Sequence, residues 1–399
     1  MNNQNRHFFS RAACPGCYSK GTELSMDKIR MLFSGLTVVM TVLTLLPFCR
    51  CQAWWVRVWD FPRLQMASIA VLLLVVELCL LPGSGGPTLA GIPTGDLIVL
   101  LSLLCALYQA HWIIPYTRLW PVQVKRSRLH NRPTLKILTA NVLMTNRNAC
   151  ALKALVREHQ PDVLVALETD LWWQAELDVL ERGDSGAPYP YQLKCPQDNL
   201  YGMHVYSRLP IKDAMIQYLV AEGIPSMHFR VALDSGDEVV MHCLHPMPPS
   251  PTEDDESTNR DGELVAVGHC AARARYPTVV TGDLNDVAWS RTTRLFMKVS
   301  GLLDPRRGRG MFNTFHAGIP CMRWPLDHVF HSRDFTLVRM QRLPHIGSDH
   351  FPILAELALN PRVGRLQQPL ELAAGDRLEA REKMASAGIV SRQVHSAEN

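Results

Sequence analysis

Thr278-Val279-Val280-Thr281-Gly282-Asp283-Leu284-Asn285 is the stretch that decides the reading of this chain. Four β-branched residues in a row make a buried-type strand, and the glycine, acid and amide that follow are turn formers. An apolar run thus delivers Asp283 and Asn285 to its own end. The same arrangement recurs at Leu326-Asp327-His328, and Ser348-Asp349-His350 precedes the apolar run 351–359. Upstream, residues 135–140 lead into Asn141, and residues 163–167 lead into Glu168. Acids repeated at strand ends predict one carboxylate-lined pocket. Two carboxylates ~4 Å apart repel by about 4 kcal/mol at an effective dielectric of ~20, so such a pocket calls for a cation. Oxygen donors favour a hard one, Mg²⁺ first. The expectation is a metal-dependent hydrolase of phosphate esters.

Around these strings the pattern is α/β. Residues 149–159 have helical spacing, with Leu152, Leu155 and Val156 on one face, and Pro161 ends them. Residues 201–207 form another strand. Met227, Phe229, Val231 and Leu233 alternate, Asp234-Ser235-Gly236-Asp237 is turn chemistry, and residues 239–244 return, a hairpin that ends at His245. Residues 246–255 read as a Pro- and acid-rich loop, and 261–275 as a helix with Leu264, Val267 and Ala271 on one stripe. Hairpins mixed with crossovers imply mixed sheets covered by helices. No internal repeat is evident.

The first 120 residues differ in kind. Apolar stretches at about 31–48, 64–81 and 97–114 each approach the ~20 residues that cross a bilayer as a helix. A signal peptide would explain only the first. Trp54, Trp55 and Trp59, then Trp112, Tyr116 and Trp120, sit where an interfacial aromatic belt belongs. Three membrane spans are therefore expected. Arg50, Arg57 and Arg63 lie between the first two, residues 82–96 carry no Lys or Arg, and Arg118, Lys125, Arg126, Arg128 and Arg132 follow the third. The positive-inside rule places the first loop and everything after the third span in the cytoplasm. Arg6, Arg11, Lys20, Lys28 and Arg30 argue the opposite, an objection that shrinks to Lys28 and Arg30 if translation starts at Met26 rather than Met1. The organisation expected is a membrane region over 1–120, a basic linker over 121–134, a catalytic domain over 135–359, and a polar tail over 360–399, helical or disordered.

Other features exclude classes. A net charge of +4 is too small to imply nucleic acid by itself. Eleven scattered cysteines make no disulfide framework, and Cys14-Pro-Gly-Cys17 lacks both the second pair of a zinc site and a redox context. Gly183-Asp184-Ser185-Gly186-Ala187-Pro188 looks like a serine-protease nucleophile loop, but His111, His130 and His159 upstream lack the matching context, so it reads as a plain loop. Arg306-Arg307-Gly308-Arg309 either meets phosphates or is solvated.

Taken in order, Asn141, Glu168, His245-Pro246, Gly282-Asp283-Leu284-Asn285, Asp327 and Ser348-Asp349-His350 resemble the endonuclease/exonuclease/phosphatase superfamily over about 135–359. The first 120 residues lie outside the resemblance, although bacterial members with such leaders look similar. The resemblance implies a four-layer α/β/β/α sandwich, two mixed sheets flanked by helices, here preceded by three transmembrane helices. It implies Mg²⁺, with Mn²⁺ as the alternative, held mainly by Glu168, with Asn141 supporting the metal site or a phosphate oxygen and Asp349 bearing on the metal or on the water. It implies Asp283 as the base that orients and deprotonates water, and Asn285 as a donor to the phosphoryl oxygen. His350 would contact phosphate with Asp327 fixing its tautomer, and His245 would bind phosphate from the other side as donor or general acid. His242, three residues earlier, is the rival for that place, while His328 should face away from Asp327 and stays outside the site. A supporting residue before the strand that follows Gly202 is left open among Asp198, Asn199 and Tyr201. The partners expected are a phosphoester substrate, nucleic acid or a phospholipid- or inositol-type headgroup, and the lipid bilayer; the location expected is multi-pass, in a bacterial inner membrane. The competing class is a catalytically silent membrane scaffold on the same fold.

Overall fold

A computed structural model describes residues 20–80, 88–89, 92–127, 132–183 and 187–397. The Cys14/Cys17 pair and Asp184-Ser185-Gly186 lie outside these residues. Two compact units divide the chain: 1–45 with 66–109, and 46–65 with 110–399.

The first unit carries most of the helices α1 (Lys20–Leu45), α2 (Arg63–Leu80) and α3 (Thr94–Ile113). Three segments, Lys28–Phe48, Arg63–Leu80 and Thr94–Tyr116, are long and apolar enough to cross a membrane. Leu36, Val39, Leu72, Val75, Leu104 and Leu107 point outward from the unit. Polar groups turn inward instead: Thr37 donates to the Glu77 carboxylate, Thr37 and Ser102 hydroxyls lie 3.0 Å apart, and Gln109 donates to Thr44 at 3.1 Å. Such bonds hold apolar helices together where hydrophobicity cannot.

The second unit is built on eleven strands: β1 (Thr134–Asn141), β2 (Val163–Leu167), β3 (Tyr191–Cys195), β4 (Met203–Ser207), β5 (Ile211–Gln217), β6 (Ser226–Ala232), β7 (Glu238–Leu244), β8 (Thr278–Asp283), β9 (Asp327–His331), β10 (Phe335–Arg342) and β11 (Ile353–Leu359). One sheet runs β10-β11-β1-β2-β4-β3, the other β9-β8-β7-β6-β5. Each contains a single parallel pair, β1 with β2 and β7 with β8, and each is antiparallel elsewhere. A parallel pair needs a crossover. Helix α4 (Ala149–His159) supplies the first, and α6 (Thr258–Arg273) the second, with α5 (Leu171–Leu177) and α7 (Arg291–Ser300) beside them.

Strand parity builds the layers. Leu135, Ile137, Val163 and Val165 of one sheet share a core with Met227, Phe229, Met241 and Val279 of the other. The alternate residues Leu138, Ala140, Leu164 and Ala166 meet α4, while Val280 and Phe330 meet α6 and α7. This is the expected sandwich of two mixed sheets between helices. At the inner face the hydroxyls of Thr139 and Thr281 are 2.7 Å apart and staple β1 to β8. Two residues further along each strand, the same parity turns Asn141 and Asp283 inward.

Segments outside the sandwich are packed on it, and two expectations need correction. The first loop (46–65) is bonded to the rest of its unit. Trp54 N–H donates to Asp255 O at 2.9 Å, Ser257 N–H to Gln52 O at 2.9 Å, and Trp289 Nε1–H to Asp60 O at 2.8 Å. The basic linker is packed too, with Val124 fully buried and Lys125 N–H bonded to Gln367. Tyr116 is buried and donates to Ala288 O, so it does not serve an interfacial belt. Within 360–399 the structure has a helix, one of the two alternatives expected, and packs it: α8 (Ala374–Ser386) joins α6 through Lys383–Asp261 at 2.6 Å and α7 through Lys298–Asp376 at 2.9 Å, and Ile389 and Val394 are buried in the outer core. Ion pairs and a few scattered apolar residues hold it, so no periodic pattern marks it. The Arg306–Arg309 loop neither meets phosphate nor is solvated. Arg306 is fully buried on Asp304, 2.9 Å away, and Arg309 caps the Pro305 and Val124 carbonyls.

Candidate active site

Glycine 282 is where the site begins. Its φ is +142°, and a Cβ there would stand 1.9 Å from the Leu244 carbonyl oxygen. Only glycine lets β8 approach β7 so closely at its end. Asp283 then lies buried at the inner face, and its Oδ1 accepts the Asn285 N–H at 2.9 Å. Asn285 (φ 49°) and Glu168 (φ 60°) both adopt the left-handed region without being glycine, the kind of local strain that persists where surrounding structure over-determines a conformation.

Asn141 stands between the acids. Its Nδ2 donates to Glu168 Oε1 at 2.7 Å and to Asp283 Oδ2 at 3.2 Å. On the opposite side, His350 Nε2 is 3.4 Å from Asp283 Oδ2, and His350 Nδ1 is 2.7 Å from Asp327 Oδ2. His245 Nε2 lies 3.9 Å from Asp283 Oδ2. These residues come from the ends of β1, β2, β7, β8 and β9 and from the turn before β11. Glu168, His245, Asp283, Asn285, Asp349 and His350 all line one cleft of ≈ 430 Å³. Asn141 and Asp327 stand behind them as buried partners. Each sequence-selected residue is therefore at, or directly bonded to, this cleft. Asn285 Nδ2 donates to Pro246 O at 2.9 Å, leaving one amide hydrogen over.

His328 faces the outer side of β9, with Nε2 2.9 Å from Asp286 O and its ring against Phe330. His242 is paired with His228 inside the second sheet, Nδ1 to Nδ1 at 2.7 Å, away from the cleft. The open choice among Asp198, Asn199 and Tyr201 is resolved by position. Tyr201 lines the cleft, packs its ring 5.1 Å from that of His245, and donates its hydroxyl to Glu253. Glu253, Val58 and Phe61 of the cleft wall were not read from sequence. Glu253 sits in an acid-rich loop with nothing to single it out, and Val58 and Phe61 come from the segment between two apolar helices.

Electrostatics separate the groups. Burial raises Glu168 to about 7, against the Asn141 bond that lowers it. Burial lowers His245 to about 4, with Asp283 opposing. Burial pulls His350 down as well, but the Asp327 and Asp283 carboxylates outweigh it and raise the ring to about 10. Burial raises Asp327, opposed by His350. Positive charge is thus favoured on His350, whose Nδ1 faces Asp327 and whose Nε2 faces Asp283.

Asp283, Asp327 and His350 offer ligand atoms within 4.8 Å of one another. The His350 ring already lies between the two carboxylates, so their close approach is accounted for by these contacts as well as by an ion. The donor that calls for a cation is Glu168. Its Oε2 is buried and has no hydrogen-bond partner among the described residues. A hard divalent ion on that oxygen, with Asp349 lining the same cleft, fits the donor chemistry, while Asn141 steadies Glu168 through Nδ2 and turns its Oδ1 to the Leu143 N–H.

Residues 138–350, more than half of the chain, match the family model described as "Endonuclease/Exonuclease/phosphatase family". The chain belongs to that family of phosphoester hydrolases. Solved structures similar to it include an endonuclease/exonuclease/phosphatase from Beutenbergia cavernae DSM 12333 (20% identity, 57% of this chain, 72% of that one, TM-score 0.45). Others are D. rerio TDP2 in complex with single-strand DNA product (16%, 56% and 98%, TM-score 0.46) and the human Nocturnin catalytic domain with bound sulfate (15%, 58% and 97%, TM-score 0.45). At such scores these likenesses carry no functional argument, and the assignment rests on the family match. No curated protein matches the chain.

Proposed function

We propose that this chain is a membrane-anchored, Mg²⁺-dependent phosphoester hydrolase. One observation carries the reading: Glu168, Asp283 and His350, from three separate strand ends, share one cleft with Asn141 bridging two of them. Bound Mg²⁺, or Mn²⁺ in its place, would neutralise a phosphoryl oxygen and sharpen the acidity of water. Glu168 and Asp349 are the residues that would hold it, with Asn141 supporting the site by its bond to Glu168. Asp283, anchored by the Asn285 N–H, is placed to orient the attacking water and accept its proton. His350, gripped by Asp327, presents Nε2–H toward the phosphoryl group, where charge grows in the transition state. His245 supplies a second hydrogen-bond donor opposite, steadied by the Tyr201 ring. The remaining Asn285 amide hydrogen is available to the same oxygen.

The organisation follows the membrane helices. Three spans put the segment between the first and second on the same face as everything after the third. The hydrogen bonds of residues 52–60 to the catalytic unit support the same parity. Positive charge on that segment favours the cytoplasmic face, and the bacterial inner membrane is the location proposed. The substrate is a phosphodiester or phosphomonoester of nucleic acid or of a lipid or inositol-type headgroup.

The test is turnover of bis-p-nitrophenyl phosphate by the full-length protein in detergent. Hydrolysis should need Mg²⁺ or Mn²⁺ and stop in EDTA. Asp283→Ala should lower kcat by ~10²–10⁴-fold, the range for a general base, with the fold intact by circular dichroism. Undiminished turnover in that variant would remove Asp283 from its role. No turnover of any phosphoester, with no Mg²⁺ binding by calorimetry, would favour the scaffold.

A further inference from the structure

The catalytic cleft is completed by residues that lie between two membrane-spanning helices. Val58 and Phe61 line it together with Leu200, Phe315 and Trp324. Phe61 sits edge-on to Trp324 (5.8 Å between ring centroids), Trp324 stacks near Phe315 (6.2 Å, 25°), and Phe315 meets His350 (4.9 Å). A continuous aromatic file therefore runs from the inter-span segment to the histidine beside the reacting position. Gln65 Nε2 donates to Cys321 O at 2.7 Å, which, with the bonds of Trp54 and Asp60, clamps the segment to the catalytic unit.

Chain connectivity fixes where this wall stands. Phe61 precedes Arg63, the first residue of the second apolar helix, by two positions. At ~3.8 Å per residue it lies within roughly 8 Å of that helix end. Val58 is 43% exposed, an apolar side chain left open at the cleft.

Charge narrows the choice further. Glu168, Glu253, Asp283 and Asp349 line the cleft, and none of its described lining residues is Lys or Arg. A nucleic-acid strand needs cationic side chains along its backbone, and a polyphosphorylated headgroup needs several. A single phosphoester carrying an apolar chain needs neither: its phosphoryl group would face His350 and Glu168, the residue that would hold the ion, and its chain would meet the aromatic file.

We infer that Val58 and Phe61, with Trp324 and Phe315, form an apolar subsite for the non-reacting part of an amphiphilic phosphoester presented at the bilayer surface. This rests on the phosphoesterase reading above. Reaction at phosphorus breaks one P–O bond and forms another from water, with the displaced alkoxide taking up a proton; the subsite touches only the apolar substituent.

The experiment uses the full-length protein in phosphatidylcholine nanodiscs with Mg²⁺. It compares p-nitrophenyl methyl phosphate with p-nitrophenyl octyl phosphate, below the micellar concentration. The ratio of kcat/KM, octyl over methyl, should be at least tenfold in the wild type. It should fall at least fivefold in Val58→Ser and in Phe61→Ser, and return in Phe61→Leu. Val58 is exposed, so its variant keeps the test valid if Phe61→Ser fails to fold. Equal rates on the two esters, or a ratio the same in wild type and Val58→Ser, would overturn the subsite, as would an oligonucleotide cleaved faster than the octyl ester. Absence of hydrolysis of both esters would instead strike the phosphoesterase reading itself.

Discussion

Gly282 shows how a single residue without a side chain positions the chemistry next to it. The backbone oxygen of Leu244 occupies the place a Cβ would take, so β7 and β8 close together and aim Asp283 between the sheets. Gly282→Ala should destabilise the catalytic unit by on the order of 3 kcal/mol, through backbone displacement and not through lost contacts. Denaturant unfolding followed by tryptophan fluorescence would read the loss, and a midpoint equal to wild type would mean the strand ends move freely. Asp283, Asn285, Asp349 and His350 were legible in the sequence because each sits beside an apolar run whose period defines which way it points. Tyr201 was one of three open choices, since a tyrosine before a strand has no period of its own to place it. The basic loop misled for a related reason: charge density says nothing about direction, and Arg306 turns inward to Asp304, Asp327 O and His328.

At the scale of elements, helix α6 packs between a sheet and two other helices, and its run from Arg260 to Gly268 is buried throughout. Glu263 is among them, with Oε2 lacking a partner among the described residues. Burial raises this carboxyl to about 8. The sign follows from linkage: the folded state holds a proton that the unfolded chain releases near its ordinary pKa of 4.5. The stability associated with the neutral form is full below that value and is lost as pH rises toward about 8. Glu263→Gln removes the titration while keeping the shape. Its melting temperature should match wild type near pH 5 and exceed it near pH 8, as differential scanning fluorimetry would show; equal values at both pH would refute the buried neutral acid. The hairpin of β6 and β7 was readable from alternation plus Asp234–Asp237, and the register confirms it, with Val231 opposite Val239 and Gly236 at φ +85°. Strands β3, β5 and β10 and helices α5 and α7 were not foreseen. Edge strands such as β5 are half exposed, so their pattern is diluted, and both helices are short.

For the molecule as a whole, the chain does not divide where its composition changes. A fragment starting at Leu135 would leave out Tyr116 and Val124, both fully buried in the catalytic unit, and the segment 46–65 that binds Asp255, Ser257 and Trp289. Losing a large buried aromatic side chain typically costs ~3–5 kcal/mol. That fragment should therefore be aggregation-prone or melt well below the full-length protein, measurable by size-exclusion chromatography and scanning fluorimetry, whereas a monomeric fragment melting at the same temperature would show the leader to be dispensable for folding. What the sequence by itself determined is periodic or covalent: three apolar segments of membrane length, two-fold alternation in the core strands, and the order of acids and histidines at their ends. Each depends only on near neighbours along the chain. What only the tertiary structure decided is which distant pieces meet. Asn141 bridges Glu168 and Asp283, the residues after 360 lie on α6 and α7, and Phe61 joins the file that ends at His350. Such contacts depend on surfaces assembled from many elements, and no local pattern encodes a partner two hundred residues away.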